Sequence, residues 1–364
     1  MDLRDLVPEW IRTLTPYPPG KPIEEVEREL GIHDSIKLAS NENPLGPSPM
    51  AVAAIGAALG NLHRYPDGSA FYLKRRLAER LAVPEDALIV GNGSNEVIEL
   101  AVRAFLRPGD EAVMADQAFV VYQLVVQAAG GASRIVPLRD FTHDLEALAA
   151  AIGPRTRLVF LGNPNNPTGT IFRRAAWRAF LGRVPERVVV VADDAYAEFV
   201  EDPEYPDTIR ERGDGRVPVL SLRTFSKLYG LAGLRVGYGV GPAPVVDALE
   251  RIRQPFNVNS LALVGALAAL DDEQHVRRTL AANRAGMAFL TEAFDRLGLA
   301  YVPSAANFVL VRVGEGARVY EALLRRGVIV RPMAVYGFPQ HVRVTVGTAA
   351  ENGRFVEALG AVLA

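Results

Sequence analysis

The chain has 364 residues, 49% of them apolar, with a formal net charge of -2 and no cysteine. That length and composition support one large and one smaller unit around substantial cores and exclude a disordered chain. No lysine and arginine block interleaves with aromatics, which excludes a nucleic-acid groove or an anionic membrane surface, and the lack of cysteine excludes disulfides, thiolate metal sites and cysteine nucleophiles.

Residues 1–20 carry charges and four prolines in place of an apolar signal core, and no apolar run approaches 18 residues. A soluble, cytoplasmic protein acting on small molecules is therefore expected. Residues 1–35 read as an N-terminal arm, with the proline-rich TPYPPGKP and a short helix. Beyond it, short β-branched runs alternate with helical patterns. ALIVGNG (87–93), RLVFLGN (157–163), RVVVVADDAY (187–196) and VPVLSL (217–222) each read as a buried strand ending in polar or glycine residues. NEVIELAVRAFL (95–106) and WRAFLGRV (177–184) have helical spacing. This alternation predicts an α/β large domain over 36–254, with right-handed crossovers and a mostly parallel sheet covered on both faces. Ligands collect beyond the carboxyl ends of such strands, so the polar residues ending the four runs should share one crevice. From residue 255 the composition changes: LALVGALAAL reads as a long connecting helix, followed by a charged helical pattern. ANFVLVRV, GVIVRPM and HVRVTVGT then alternate as half-exposed strands, which predicts a smaller α+β domain over 255–364.

Lys227 follows VPVLSL after a short RTFS turn, which would place its amine in the shared crevice. Desolvated there, it would have a lowered pKa and act as a nucleophile toward an aldehyde; a solvated surface lysine is the alternative. Asp193 ends a valine run, where a carboxylate needs a cationic partner such as a protonated pyridine nitrogen. Capping of the next segment by Asp193 or Asp194 is the plainer reading. Tyr196 lies three residues on and could reach a phenolic oxygen from the same loop. In NPNNPTG (163–169) two prolines fix a turn from which asparagines can point into the crevice. GNGSNE (91–96) is a glycine turn opening a helix, whose amides and dipole form an anion site, with Ser94 or Asn95 as a simple N-cap being the alternative. Ser226 and Arg235, flanking Lys227, favour a phosphate as the occupant, since arginine can hold it bidentately. The five histidines have no metal-ligand spacing, and no metal is expected.

Together and in this order, these stretches resemble the fold-type I pyridoxal-phosphate-dependent aminotransferases. Within them, the likeness is greatest to the branch that acts on histidinol phosphate. It is carried over essentially the whole chain by PYPPGKPIEEV, KLASNENPLGPSP, RYPDG, GNGSNE, NPNNPTG, DDAY, TFSKLYGLAGLRVGY, ANFVL, VRPM and VRVTVGT. The resemblance implies pyridoxal 5′-phosphate as cofactor, held as an imine by Lys227, which afterwards shuttles the proton. It implies Asp193 as partner of the pyridine nitrogen. Tyr196 and Asn166 match the two donors to the 3′ oxygen, Phe119 an aromatic ring stacked on the cofactor, and Gly93, Ser94, Asn95, Ser226 and Arg235 the phosphate cup. Tyr65 matches a tyrosine that reaches the phosphate of the neighbouring subunit, so a homodimer with shared active sites is implied. For the substrate, the likeness implies Tyr17, Asn43, Tyr122, Arg331 and Arg343. Asp194 stands where the family often has glutamate, and Gln117 near a position often held by proline; neither change removes a chemical role. The implied reaction is ping-pong transamination between L-histidinol phosphate and 2-oxoglutarate, giving imidazole-acetol phosphate and L-glutamate, a step of histidine biosynthesis. An aromatic amino acid aminotransferase for phenylalanine and tyrosine is the nearest alternative. A pyridoxal-phosphate lyase such as threonine-phosphate decarboxylase and a ligand-binding module without chemistry stand further off.

Overall fold

Valine-rich runs form the centre of the computed structural model, which describes residues 6–16, 20–211, 213 and 215–364. Among these, in chain order, the strands are β1 (Ile36–Lys37), β2 (Leu88–Gly91), β3 (Glu111–Ala115), β4 (Ala132–Val136), β5 (Thr156–Gly162), β6 (Val189–Asp193), β7 (Val219–Thr224), β8 (Gly237–Val240), β9 (Tyr301–Val302), β10 (Phe308–Arg312), β11 (Val328–Ile329), β12 (Arg331–Pro332) and β13 (His341–Thr345). Seven of them form one sheet in the order β2-β8-β7-β6-β5-β3-β4. All pairings are parallel except those of β8, which runs antiparallel to both neighbours. The carboxyl ends of β2, β5, β6 and β7 therefore point the same way.

Alternate residues of these strands enter different cores, as the two-residue period of a strand requires. Phe160, Val189 and Val191 pack with the helices Ser94–Phe105, Val121–Ala128 and Ala243–Ile252 on one face. Val159, Leu161 and Val190 pack with Leu145–Ala150 and Arg174–Leu181 on the other. Double coverage explains why these runs are apolar throughout, with no polar alternation.

Three strands of the seven-stranded sheet were not anticipated. β3 begins at a charged residue, Glu111, whose buried carboxylate pairs with Arg155 at 2.7 Å and Arg134 at 3.3 Å. β4 is an edge strand, largely exposed. β8 is hidden inside the motif LRVGYGV because glycine is a poor strand former. Packing demands it here: a Cβ on Gly237 would lie 2.5 Å from the Ser94 amide nitrogen and 2.9 Å from the Arg223 carbonyl oxygen.

The second sheet, β12-β13-β10-β9, is antiparallel. Its strands are buried on both faces where half-exposure was expected. Val309 and Val311 pack with Phe294 and Phe355, while Leu310 packs against Met333 and Tyr336. Packing also crosses the partition at residues 36 and 255 expected from composition. β1 pairs in parallel with β11, and the helix Ser260–Asp271 lies in the core formed by Leu73, Leu77 and Val240. Small residues on that helix let it approach closely: a Cβ on Gly265 would meet Ile55 at 3.0 Å. Among the described residues, no helix is long and apolar enough to cross a membrane.

Replacement of Gly237 by alanine is expected to force β8 away from the Ser94 turn and to destabilise the chain by about 1–3 kcal/mol. Chemical denaturation measures it, and unchanged stability would mean that the turn gives way freely.

Candidate active site

A cavity of about 270 Å³ opens beyond the carboxyl ends of β5, β6 and β7. It is lined by Ser94, Asn95, Phe119, Tyr122, Asn166, Asp193, Tyr196, Ser226, Lys227, Arg235, Arg331 and Arg343, and by a segment from Ala39 to Glu42. Most sequence-predicted site residues, distant along the chain, are thus brought together by the parallel strand order.

Asp193 is the last residue of β6 and is 7% exposed. Burial pushes its carboxyl upward, opposed by hydrogen bonds from Tyr122 and Ala195 and by the charge of Lys227. The Tyr122 hydroxyl donates to Asp193 Oδ2 at 2.7 Å, and the Ala195 amide donates to Oδ1 at 3.3 Å. Asp194 turns to the opposite side, as successive residues of an extended chain do. There it accepts from the Thr208 hydroxyl and faces Arg223 at 3.7 Å. The two adjacent acids therefore have different surroundings: Asp194 sits within a buried polar network, and Asp193 faces the cleft.

Lys227 lies three residues beyond β7, partly buried. Burial and the nearby positive charge of Arg343 lower its pKa to about 7, against the pull of Glu42 and Asp193. Its Nζ donates to the Ser40 carbonyl oxygen at 3.1 Å and stands 5.5 Å from the centre of the Tyr196 ring. A substantial neutral fraction at physiological pH makes this amine nucleophilic.

The GNGSNE turn presents an anion cup. Gly93, at φ +79°, is the N-cap of the helix Ser94–Phe105, and no side chain caps its free amides. Neither Ser94 nor Asn95 takes the capping position. A Cβ on Gly93 would come within 2.6 Å of an Arg235 guanidinium nitrogen, so glycine is what admits the arginine. Arg235 holds φ +57°, a strained conformation for a side-chain-bearing residue, and reaches Ser226 Oγ at 3.5 Å. Helix amides, a hydroxyl and a guanidinium therefore converge on one end of the cleft.

In NPNNPTG the asparagines divide their work. Asn163 exchanges hydrogen bonds with the Phe172 backbone, and Asn165 donates to the Gln117 carbonyl and to Thr168. Those two hold the turn, while Asn166 faces the cavity and accepts from Arg343 Nη1. Arg331 and Arg343 are 7% and 6% exposed and face each other across the β12–β13 pair. Arg343 also donates to the Ala39 carbonyl at 2.8 Å and lies 5.2 Å from the centre of the Phe308 ring.

Four expectations need restating. Asn43 does not line the cleft; its Nδ2 donates to the Leu228 carbonyl at 2.8 Å and to Thr279 at 3.1 Å, while its Oδ1 accepts from the Leu45 amide at 3.0 Å. Intramolecular bonds hold it, so it braces the lysine loop at Leu228. Tyr122 lines the cleft, but its hydroxyl is committed to Asp193 and its ring stacks on Phe160 at 4.9 Å. That leaves it supporting the carboxylate, where a substrate contact was expected. Tyr65 lies away from this chain's own cavity, 84% exposed and stacked on Phe256. Tyr17 lies outside the described residues. Sequence reasoning missed Ser40 and Asn41, although both stand in the SNENP motif it quoted, and Tyr336, which no motif flagged.

Parallel strands ending in a buried carboxylate, a desolvated amine and an anion cup define an α/β enzyme suited to carbonyl chemistry. The chain belongs to the class I and II aminotransferases: that family's model, "Aminotransferase class I and II", matches residues 33–359. It is 52% identical over 355 residues to histidinol-phosphate aminotransferase 1 of Nitrosococcus oceani, covering 97% of this chain and 95% of the relative. It is 51% identical to the histidinol-phosphate aminotransferase of Moorella thermoacetica, with 98% and 92% covered. Its fold matches the crystal structure of histidinol-phosphate aminotransferase from Sinorhizobium meliloti in complex with pyridoxal-5′-phosphate, with a TM-score of 0.89, 28% identity and 98% and 96% covered.

In the cofactor-free chain the lowered Lys227 pKa carries a stability consequence. Between about 7 and the ordinary 10.5 the unfolded chain holds a proton on this amine that the folded chain lacks, so folding grows more favourable as pH rises through that window. Cofactor-free Lys227→Met should be more stable than the parent at pH 7, with the difference shrinking toward pH 10. Denaturant midpoints across pH measure this, and a constant difference would reject a desolvated amine.

Proposed function

We propose that the chain is a pyridoxal-phosphate-dependent aminotransferase that moves the amino group of L-histidinol phosphate to 2-oxoglutarate. The cofactor fits the residues present. The uncapped helix amides at Ser94 and Asn95, with Ser226 and Arg235, suit a phosphate dianion, and the Asp193 carboxylate suits a pyridinium nitrogen. When bound, pyridoxal phosphate supplies an electron-withdrawing ring that stabilises negative charge developing at the substrate α-carbon.

The chain's own groups supply the remaining work. Lys227, its pKa lowered to about 7, would hold the cofactor at its aldehyde carbon, and its amine is the group that an incoming amino donor would set free. The freed Nζ would carry the proton taken from the substrate α-carbon, acting as base and then as acid. Asp193 would hold the proton on the ring nitrogen, and the bond from Tyr122 keeps Asp193 in place. Tyr196 and Asn166 line the cavity and would donate to the ring oxygen, and Phe119 would flank the ring. The keto product would leave, and 2-oxoglutarate would bind the same residues and receive the amino group.

The observation that carries the substrate assignment is the pair of buried guanidinium groups of Arg331 and Arg343, set opposite each other on neighbouring strands. Like charges so placed repel, and a dianionic phosphate offsets that repulsion far better than a neutral benzyl group. The names of the similar proteins support the same substrate. A homodimer is supported by the exposed apolar side chains of Val52, Leu59, Leu62, Tyr65 and Tyr72, which gather in one stretch of the chain. Lack of cysteine suits a reducing cytoplasm.

Side-by-side kinetics test the assignment. Histidinol phosphate should be preferred over phenylalanine and tyrosine as donor to 2-oxoglutarate, and Arg331→Ala should lower kcat/KM for it by about 30-fold or more. A variant that loses nothing with histidinol phosphate, or a parent that prefers phenylalanine, would move the enzyme to the aromatic group; release of carbon dioxide in place of amino transfer would make it a lyase. Sedimentation should give twice the chain mass, with Leu62→Glu shifting it toward the monomer.

A further inference from the structure

Asn41 is 1% exposed and lies in the segment that lines the cleft opposite Lys227. Its amide Nδ2 stands 2.9 Å from the Tyr196 hydroxyl oxygen. The other end of the amide meets Thr345. The Thr345 hydroxyl oxygen accepts from the Asn41 backbone amide at 2.9 Å, which leaves its proton to donate to Asn41 Oδ1 at 3.2 Å. Nδ2, a donor with no acceptor capacity, is thus the end turned to Tyr196. Asn307 donates to the Asn41 carbonyl at 3.0 Å and fixes the backbone from a third side. The Tyr196 ring is itself wedged edge-on against Phe308, at 5.1 Å between centres.

A phenol oxygen that accepts from Asn41 keeps its own proton for a different acceptor. With Asn41 at one side, that proton can be given only into the cleft, where Lys227, Asp193 and Arg343 are the charged neighbours. We propose that Asn41 is a positioning residue for Tyr196, donating to its hydroxyl so that the tyrosine's proton is aimed at the ring oxygen of the bound cofactor. The proposal rests on the pyridoxal phosphate reading above. Thr345 sets the amide's orientation, so the small sheet reaches the cofactor's electronics through a threonine and an asparagine.

Asn41→Asp is nearly isosteric and replaces the donor by an acceptor, drawing the Tyr196 proton out of the cleft. The ring oxygen then loses a hydrogen bond that stabilises its negative charge, and the protonated chromophore is favoured. In the holoenzyme the pH midpoint of the cofactor's visible absorbance change should rise by about one unit or more. In a Tyr196→Phe background the same substitution should add less than half that shift, because the group it acts through is gone. A midpoint unchanged in Asn41→Asp, or a full shift persisting without the tyrosine hydroxyl, would overturn the proposal. If Asn41→Asp does not fold, Thr345→Val decides: it frees the amide to rotate and should raise the midpoint in the same direction, and an unmoved midpoint overturns the proposal. A parent protein that shows no visible band with pyridoxal phosphate, none fixed to Lys227 by borohydride, would instead remove the cofactor reading itself.

Discussion

A carboxylate and an amine share this cleft without neutralising each other, and the rest of the site depends on that separation. Asp193 takes its hydrogen bonds from Tyr122 and Ala195, while Lys227 gives its own to the Ser40 carbonyl. Were the two paired directly, the amine would be held protonated and lose its nucleophilicity, and the acid would have no charge left for a ring nitrogen. Sheet geometry keeps them apart: Asp193 ends β6, and Lys227 stands three residues past the end of neighbouring β7. Burial then acts on each in the direction its chemistry needs, keeping the amine's proton loosely held and the acid in want of a cation.

The segment from Ala39 to Asn43 carries much of this arrangement. Its carbonyls accept from Arg343 and Lys227, Asn41 joins Tyr196 to Thr345, and Asn43 joins the Leu228 carbonyl to Thr279. Every residue in that list belongs to another element. The segment follows β1, which pairs with β11 of the C-terminal unit, and its bonds are divided between the loops of the seven-stranded sheet, at Tyr196, Lys227 and Leu228, and the C-terminal half, at Thr279, Asn307, Arg343 and Thr345. It therefore ties Arg343 to Lys227 through the adjacent main-chain carbonyls of Ala39 and Ser40.

What was legible in the sequence follows from which forces act locally. β5, β6 and β7 were readable because a strand buried on both faces must be apolar throughout, as RLVFLGN and RVVVVAD are. β8 was not, because its glycines answer to close approach of the Ser94 turn, a contact made by residues over a hundred positions away. Lys227, Asp193, Tyr196 and Arg235 were singled out from motif chemistry, and the structure brings them to one cavity. The direction of a side chain was another matter. Asn43 and Tyr122 are in the right neighbourhood but face intramolecular partners, and Asn41, two positions from a residue that was chosen, is the one that meets the site. Spacing along a loop does not fix which side chains turn inward; the partners available in three dimensions do.

The pair Asp193–Asp194 shows how the floor of the site is kept rigid. Asp194 is fully buried among Thr208, Tyr205 and Arg223, and Thr208, its one hydroxyl proton given to Asp194, is free to accept from the Ser221 hydroxyl on β7 at 2.7 Å. Tyr205 in turn donates to the Asn163 carbonyl, at the start of the turn that presents Asn166. One buried carboxylate thus connects the ends of β5, β6 and β7, from which Asn166, Asp193 and Lys227 project. A glutamate there would need to fit an extra methylene into space already occupied, and overpacking of that kind costs about 1–3 kcal/mol unless neighbours move. Threonine at 208 and tyrosine at 205 reach the shorter acid directly, so the network accommodates aspartate without shifting the strand ends that hold the chemistry.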